Sequence, residues 1–216
     1  MNSLSLLLLI ILVSALPVIL LFTWLKLGNS DAYISLPWFL LALAAGIVSL
    51  SIAALIQNLF PAPGIIDSIW MIFFAVFIRI AFVEETSRLF TLFPVIKAGN
   101  KYQDPAFAAA LGFAAGLGFA AAENALYGME DFNLILLRIV TAAPLHAACG
   151  IRTGAAVFYS THSPVRAIFL YLSAIIIHGA YNLIIISPAI PSFLGIPTAL
   201  AALVVSLPML KTSSDS

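Results

Sequence analysis

Seven long apolar stretches follow one another in this chain, and only short polar interruptions separate them. A helix needs about 20 mostly apolar residues to cross a bilayer. Inside hydrocarbon each backbone amide and carbonyl must be paired within the protein, so segments of this kind fold as helices. The stretches cover about residues 4–25, 37–60, 65–96, 105–127, 132–159, 164–186 and 191–210. The expected fold is therefore all-α: one polytopic transmembrane helix bundle of about seven spans, a single domain over residues 1–216. Composition agrees, with 63% hydrophobic and 8% charged residues, against about 25% charged in soluble domains. Nine basic and nine acidic side chains cancel, which points away from a nucleic-acid partner. The single cysteine, Cys149, excludes an internal disulfide. The leucine-rich start lacks the basic n-region of a signal peptide and reads as a retained first span.

Basic residues in short loops set orientation. With seven spans, Lys26, Lys97, Lys101, Arg166 and Lys211 fall on one side, and Glu130 and Asp131 on the other. This places the N-terminus outside and the C-terminus in the cytoplasm. The third stretch exceeds one straight crossing, so it tilts, kinks before Pro94 or ends in the interface. Gly112, Gly116 and Gly118 among alanines mark the fourth span as one that neighbours approach closely, and hence as central.

Against this apolar background the polar residues within the spans stand out: Arg79, Glu84, Glu85, Arg88, Glu123, Asn124, Arg138, His146, Arg152, His178 and Asn182. A charge at mid-membrane costs roughly 2.5–3.5 kcal/mol even on lenient scales, and such groups face the bundle interior or a wet cavity. Glu84 and Glu85, as helix neighbours, point about 100° apart, so one can face a cavity while the other binds a neighbouring helix. Arg88 is within pairing distance of either. The doublet is a structural ion pair or carries a general base. His178 and Asn182, four apart, share a helix face. Pro144 should kink the helix just before His146. Counting about 1.5 Å per residue puts Glu84, Glu85, His146 and His178 in one layer. The same count puts Glu123 outward, a direct participant only if its helix is shifted inward. Arg138 and Arg152 read as carboxylate partners, with Arg152 able to snorkel toward the cytoplasm.

Two carboxylates, two imidazoles and an amide at one level can activate water and hold an oxyanion. Alternatively, His146 and His178 with a carboxylate bind a zinc ion that lowers the pKa of water. No H-E-x-x-H and no G-x-S-x-G is present. Two non-proteolytic classes also suit buried charges: a transporter or channel relaying protons or cations through the Glu and His residues, and a non-catalytic membrane scaffold that binds a partner helix.

Glu84-Glu85-x-x-Arg88, Glu123-Asn124-x-x-Tyr127, the mid-span His146 and His178-x-x-x-Asn182 come in an order that resembles PrsW-type intramembrane proteases. These are similar to the wider group of CAAX prenyl endopeptidases and bacteriocin-processing proteins. The resemblance covers a motif-bearing core over about residues 66–186. The two-residue Glu–Arg spacing is similar to the PrsW branch, which often carries lysine at the position of Arg88. Ala142, where the CAAX pattern has phenylalanine, departs from a prenylated-substrate enzyme. The resemblance implies an intramembrane endopeptidase of glutamate or metallo type in a prokaryotic cell membrane, acting on a membrane-anchored protein or peptide. It implies Glu84 and Glu85 as base and partner, His146 and His178 as holders of water or zinc, and Asn182 as oxyanion support. Arg88, Glu123 and Asn124 are the supporting residues. Whether the cofactor is zinc or none stays open at this point.

Overall fold

The computed structural model describes residues 3–27, 34–60, 68–99 and 104–211, and all regular structure among them is helical. The helices are α1 (Ser3–Leu27), α2 (Leu36–Leu59), α3 (Ile69–Phe73), α4 (Val83–Ala98), α5 (Pro105–Glu130), α6 (Phe132–Val140), α7 (Ala142–Tyr159), α8 (Pro164–Ile186) and α9 (Gly195–Ser206). A π-helical segment, Phe74–Phe82, joins α3 to α4 without a break. Short 3₁₀ turns, Ser192–Leu194 and Leu207–Leu210, flank α9.

Several starts are written in the local sequence. The Asp104 side chain accepts from Ala106 N at 2.9 Å, with Pro105 in the first turn. Asp131 does the same for Asn133 N at 2.9 Å, so α6 begins directly after α5 ends. Both use a short acidic side chain to satisfy amides that a helix start leaves unpaired.

α1, α2, α5, α8 and the α9 unit are each long and apolar enough to cross a membrane, and α6 with α7, bent by 47°, is together long and apolar enough for a broken span or a re-entrant loop. The helix over residues 69–98 carries Arg79, Glu84, Glu85 and Arg88, so hydropathy alone does not mark it. At about 1.5 Å per residue it is nevertheless roughly 45 Å long, which is consistent with about seven spans. Within it α4 continues through Pro94 without a break, and a π segment lies upstream. The kink expected before His146 is present. The chain breaks at Thr141, three residues before Pro144, where a proline ring and its missing N–H disturb the preceding turn. The polar loop at residues 28–31, the break at 61–64, Lys101 and the tail beyond Lys211 lie outside the described residues.

α5 is the central helix, as its glycines implied: 83% of its apolar window is buried, against 17–33% for the other single spans. Lipid offers helices no hydrophobic drive to associate, so close packing must come from small residues. Gly112 and Gly116 of α5 lie against Gly150, Gly154 and the His146 carbonyl of α7. Gly118 lies against the Leu43 carbonyl of α2, and Gly46 of α2 against that of Ala115. A side chain at any of these glycines would run into backbone, so α5 is held between α2 and α7 at near-backbone contact. α4 packs on α2 and α7, and α8 packs on α7 and the π segment. This brings the charged helix, α7 and α8 together around one point.

Candidate active site

Six helices, counting the π segment and α4 as one, deliver polar side chains to a cavity of about 540 Å³. Its wall includes Gln57, Arg79, Glu84, Glu123, Tyr127, Arg138, His146, His178 and Asn182. The end of α2, the end of α5 (Tyr127, Glu130) and the end of α8 (Ile185, Ile186) border the same space. The cavity therefore opens at one face of the bundle, opposite Lys97, Arg166 and Lys211.

The two adjacent carboxylates divide as helix geometry requires. Glu85 points into the protein and is fully enclosed. Its two oxygens accept from Arg88 Nη1, each at 2.5 Å. Thr153 Oγ1 donates to Oε2 at 3.0 Å, and His178 Nδ1 donates to Oε1 at 2.8 Å. Glu85 is thus saturated by three partners and has no oxygen left for a reacting molecule. Glu84 faces the cavity. Gln57 Nε2 donates to its Oε1 at 3.3 Å. Its Oε2 is buried without a hydrogen-bond partner among the described residues, and lies 3.6 Å from His178 Nε2.

In the neutral imidazole the bond to Glu85 puts the hydrogen of His178 on Nδ1 and leaves Nε2 as an acceptor beside Glu84. His146 is fixed the other way. Arg88 Nη2 lies 3.2 Å from its Nδ1, and a guanidinium can only donate. Nδ1 therefore accepts, and Nε2 carries the hydrogen that it donates to Glu123 Oε2 at 2.9 Å. The two imidazole rings stand at 90° with centroids 5.0 Å apart, and Phe119 covers the buried side of His146 at 4.7 Å. Arg88 thus holds both Glu85 and His146 and sits over the Phe119 ring.

Glu84, Glu85, His146 and His178 are brought into one layer, as depth counting expected. Asn182, half-buried, borders the cavity one turn beyond His178. Glu123, expected outward of this layer, joins it: α5 packs closely on α7, and Glu123 meets His146 directly at 2.9 Å. Arg138 is its carboxylate partner, bonding to Glu123 Oε2 and donating through Nε to Asn124 Oδ1 at 2.9 Å. Its guanidinium stacks on Tyr127 at 4.1 Å. The carboxylate expected for Arg152 is absent among the described residues. It donates instead to Ser206 Oγ at 3.1 Å and Ser173 Oγ at 3.0 Å, because α7 turns this residue toward α8 and α9, which offer only hydroxyls there. Sequence reading missed Gln57 and Thr153, since neither a glutamine near a span end nor a mid-span threonine departs from ordinary membrane-helix composition.

One ligand atom from each of Glu84, His146 and His178 lies within 4.8 Å of the others, and all three residues are buried. This donor set fits a catalytic metal ion with two imidazoles, one carboxylate and an open position. The orphaned Glu84 Oε2 beside His178 Nε2 is the observation that favours it. Glu85 on the far nitrogen of His178 is the carboxylate that orients a ligating imidazole. Uptake at His146 requires Nε2 to release its hydrogen, as metal binding commonly does. A second group, Glu85, Cys149 and His178, is also close, but the Glu85 oxygens are taken by Arg88, Thr153 and His178, and Cys149 Sγ donates to the Ala174 carbonyl at 3.6 Å.

No curated protein and no solved structure matches the chain. The model of the PrsW family of intramembrane metalloproteases matches residues 35–210, most of its length, and the chain belongs to that family.

Proposed function

We propose that this membrane protease hydrolyses a peptide bond of a membrane-anchored protein with Glu84 as the general base. One observation carries the reading: Glu84 Oε2, a buried carboxylate oxygen without a hydrogen-bond partner among the described residues, lies 3.6 Å from His178 Nε2. A water seated there donates one hydrogen to each of these acceptors and turns a lone pair toward the substrate carbonyl. Glu84 takes the proton as the water attacks, and returns it to the amide nitrogen as the tetrahedral intermediate collapses and the C–N bond breaks. His146 Nε2–H is the hydrogen-bond donor for the developing oxyanion, and the Asn182 amide is a second. Glu85, held by Arg88 and Thr153, keeps His178 in its acceptor tautomer. Glu123, held by Arg138, receives the His146 hydrogen bond at rest.

Glu84, His146 and His178 are the residues that would hold a metal ion, which would acidify water and polarise the scissile carbonyl. The substrate class is a single-span or membrane-tethered polypeptide. With the N-terminus outside, the cavity mouth faces the outer side of a prokaryotic cell membrane.

The test is cleavage of single-span peptides by the purified protein in liposomes. Glu84→Gln should abolish cleavage while its melting temperature stays at the parental value. Glu84→Gln protein that still cleaves would overturn the assignment. Metal analysis of active protein before and after chelation separates metal-dependent from purely glutamate-based hydrolysis.

A further inference from the structure

Glu84 has two carboxylate oxygens, and the fold commits one of them before any substrate arrives. Oε1 accepts from Gln57 Nε2 at 3.3 Å. Gln57 stands in the last turn of α2, where carbonyls run out of partners within the helix. Two of those carbonyls are taken by one side chain. Arg79 donates from Nη2 to Gln57 O at 3.0 Å and from Nε to Phe60 O at 2.8 Å. Arg79 forms no ion pair among the described residues, so its place is explained by this contact and not by an acid.

The π segment makes the arrangement possible. Arg79 precedes Glu84 by five residues. On an α-helix residues five apart are about 140° apart in direction. The π turns of Phe74–Phe82 are wider than α turns, and Glu84 lies two residues beyond their end, so the two side chains diverge less than they would on a plain α-helix. Arg79 and Glu84 therefore both face the cavity and both reach the end of α2. The contacts close a ring: Arg79 to the Gln57 backbone, the Gln57 side chain to Glu84, and the wide turn back to Arg79.

We propose that Gln57 is a positioning residue for the base: by occupying Oε1 it leaves Oε2 as the single point at which Glu84 meets water or a metal ion. Arg79 positions Gln57 in turn. This rests on the assignment of Glu84 above. Without Gln57 the carboxylate turns freely about its last bond and presents either oxygen to His178.

Gln57→Leu keeps the bulk and removes the donor. In the full chain its kcat on a single-span peptide should fall about 10–100-fold, the usual loss when a supporting hydrogen bond is removed, with KM and melting temperature unchanged. Zinc binding to metal-stripped protein, measured by competition with a chelator, should weaken by about tenfold. Arg79→Met should reproduce the kcat loss, and the Gln57→Leu/Arg79→Met double variant should lose no more than the worse single variant, because both act through one contact. Gln57→Met carries the test if Gln57→Leu fails to fold. A Gln57 variant with kcat and zinc affinity within twofold of the parent overturns the proposal, as do losses that multiply in the double variant. A parent chain that binds zinc but cleaves nothing refutes the catalytic reading of Glu84, and zinc competition then decides for Gln57 alone. A parent that does neither overturns both.

Discussion

Replacing Arg88 by methionine should destabilise the protein more than any other single change at the site. The guanidinium is fully buried, forks to both oxygens of Glu85 at 2.5 Å and reaches His146 Nδ1 at 3.2 Å. Its removal leaves Glu85 charged in a dry interior with only Thr153 and His178 as donors. Breaking a buried pair from one side costs about 3–5 kcal/mol. In a chain of this length each kcal/mol shifts melting by about 2–4 °C, so the expected drop is roughly 6–20 °C. The assay is thermal melting in mild detergent, followed by the surviving fraction on size exclusion. Glu85→Gln/Arg88→Met should recover most of the loss, because no lone charge remains, yet stay inactive because His178 has lost its orienting carboxylate. Arg88→Lys should fall between, since an ammonium can pair with Glu85 but lacks the planar fork that reaches His146 as well. An Arg88→Met protein that melts with the parent, or a double variant no more stable than the single, would refute the account of this pair.

Two further outcomes follow from packing and charge. Gly116→Ala places a methyl against the His146 carbonyl, whereas Gly118→Ala places one against Leu43. Both should lose about 1–3 kcal/mol from overpacking, but only Gly116→Ala should lose activity beyond its loss of folded protein; equal specific activities would refute that difference. A fluorescent protein fused to the C-terminus should mature in the cytoplasm, and alkaline phosphatase fused there should stay inactive. The reverse pattern would overturn the orientation read from Lys97, Arg166 and Lys211.

Apolar stretches made the all-helical bundle and the order of its spans legible, and the cost of charge in lipid marked most of the residues that meet at the cavity. What these left hidden traces to packing and to one departure from an α-helix. Depth counted at a fixed rise put Glu123 well outward in its span, because the count carries no information on how closely α5 and α7 pack, which brings Glu123 to His146. The wide turn at Phe74–Phe82 has no sequence mark at all: its residues are as apolar as those of any span, apart from Arg79. The choice between Glu84 and Glu85 also needed coordinates. Adjacent residues on a helix must diverge, but only the positions of Thr153 and His178 show which one is walled in. Arg152 shows the limit from the other side, since a buried cation suggests an acid and here found serines.

A π turn is an α-helix with one residue more than its pitch accommodates. Deleting one residue between Phe74 and Ile78 would let the segment tighten into an α-helix without displacing the helix on either side, while the Arg88 network stays in place. Arg79 would then diverge further from Glu84 around the helix axis, and its hold on the end of α2 beside the base would loosen. The shortened chain would still insert and still bury its ion pair. A single in-frame codon loss would thus yield a stably folded but impaired molecule, with membrane assembly and chemistry separated at one turn of helix.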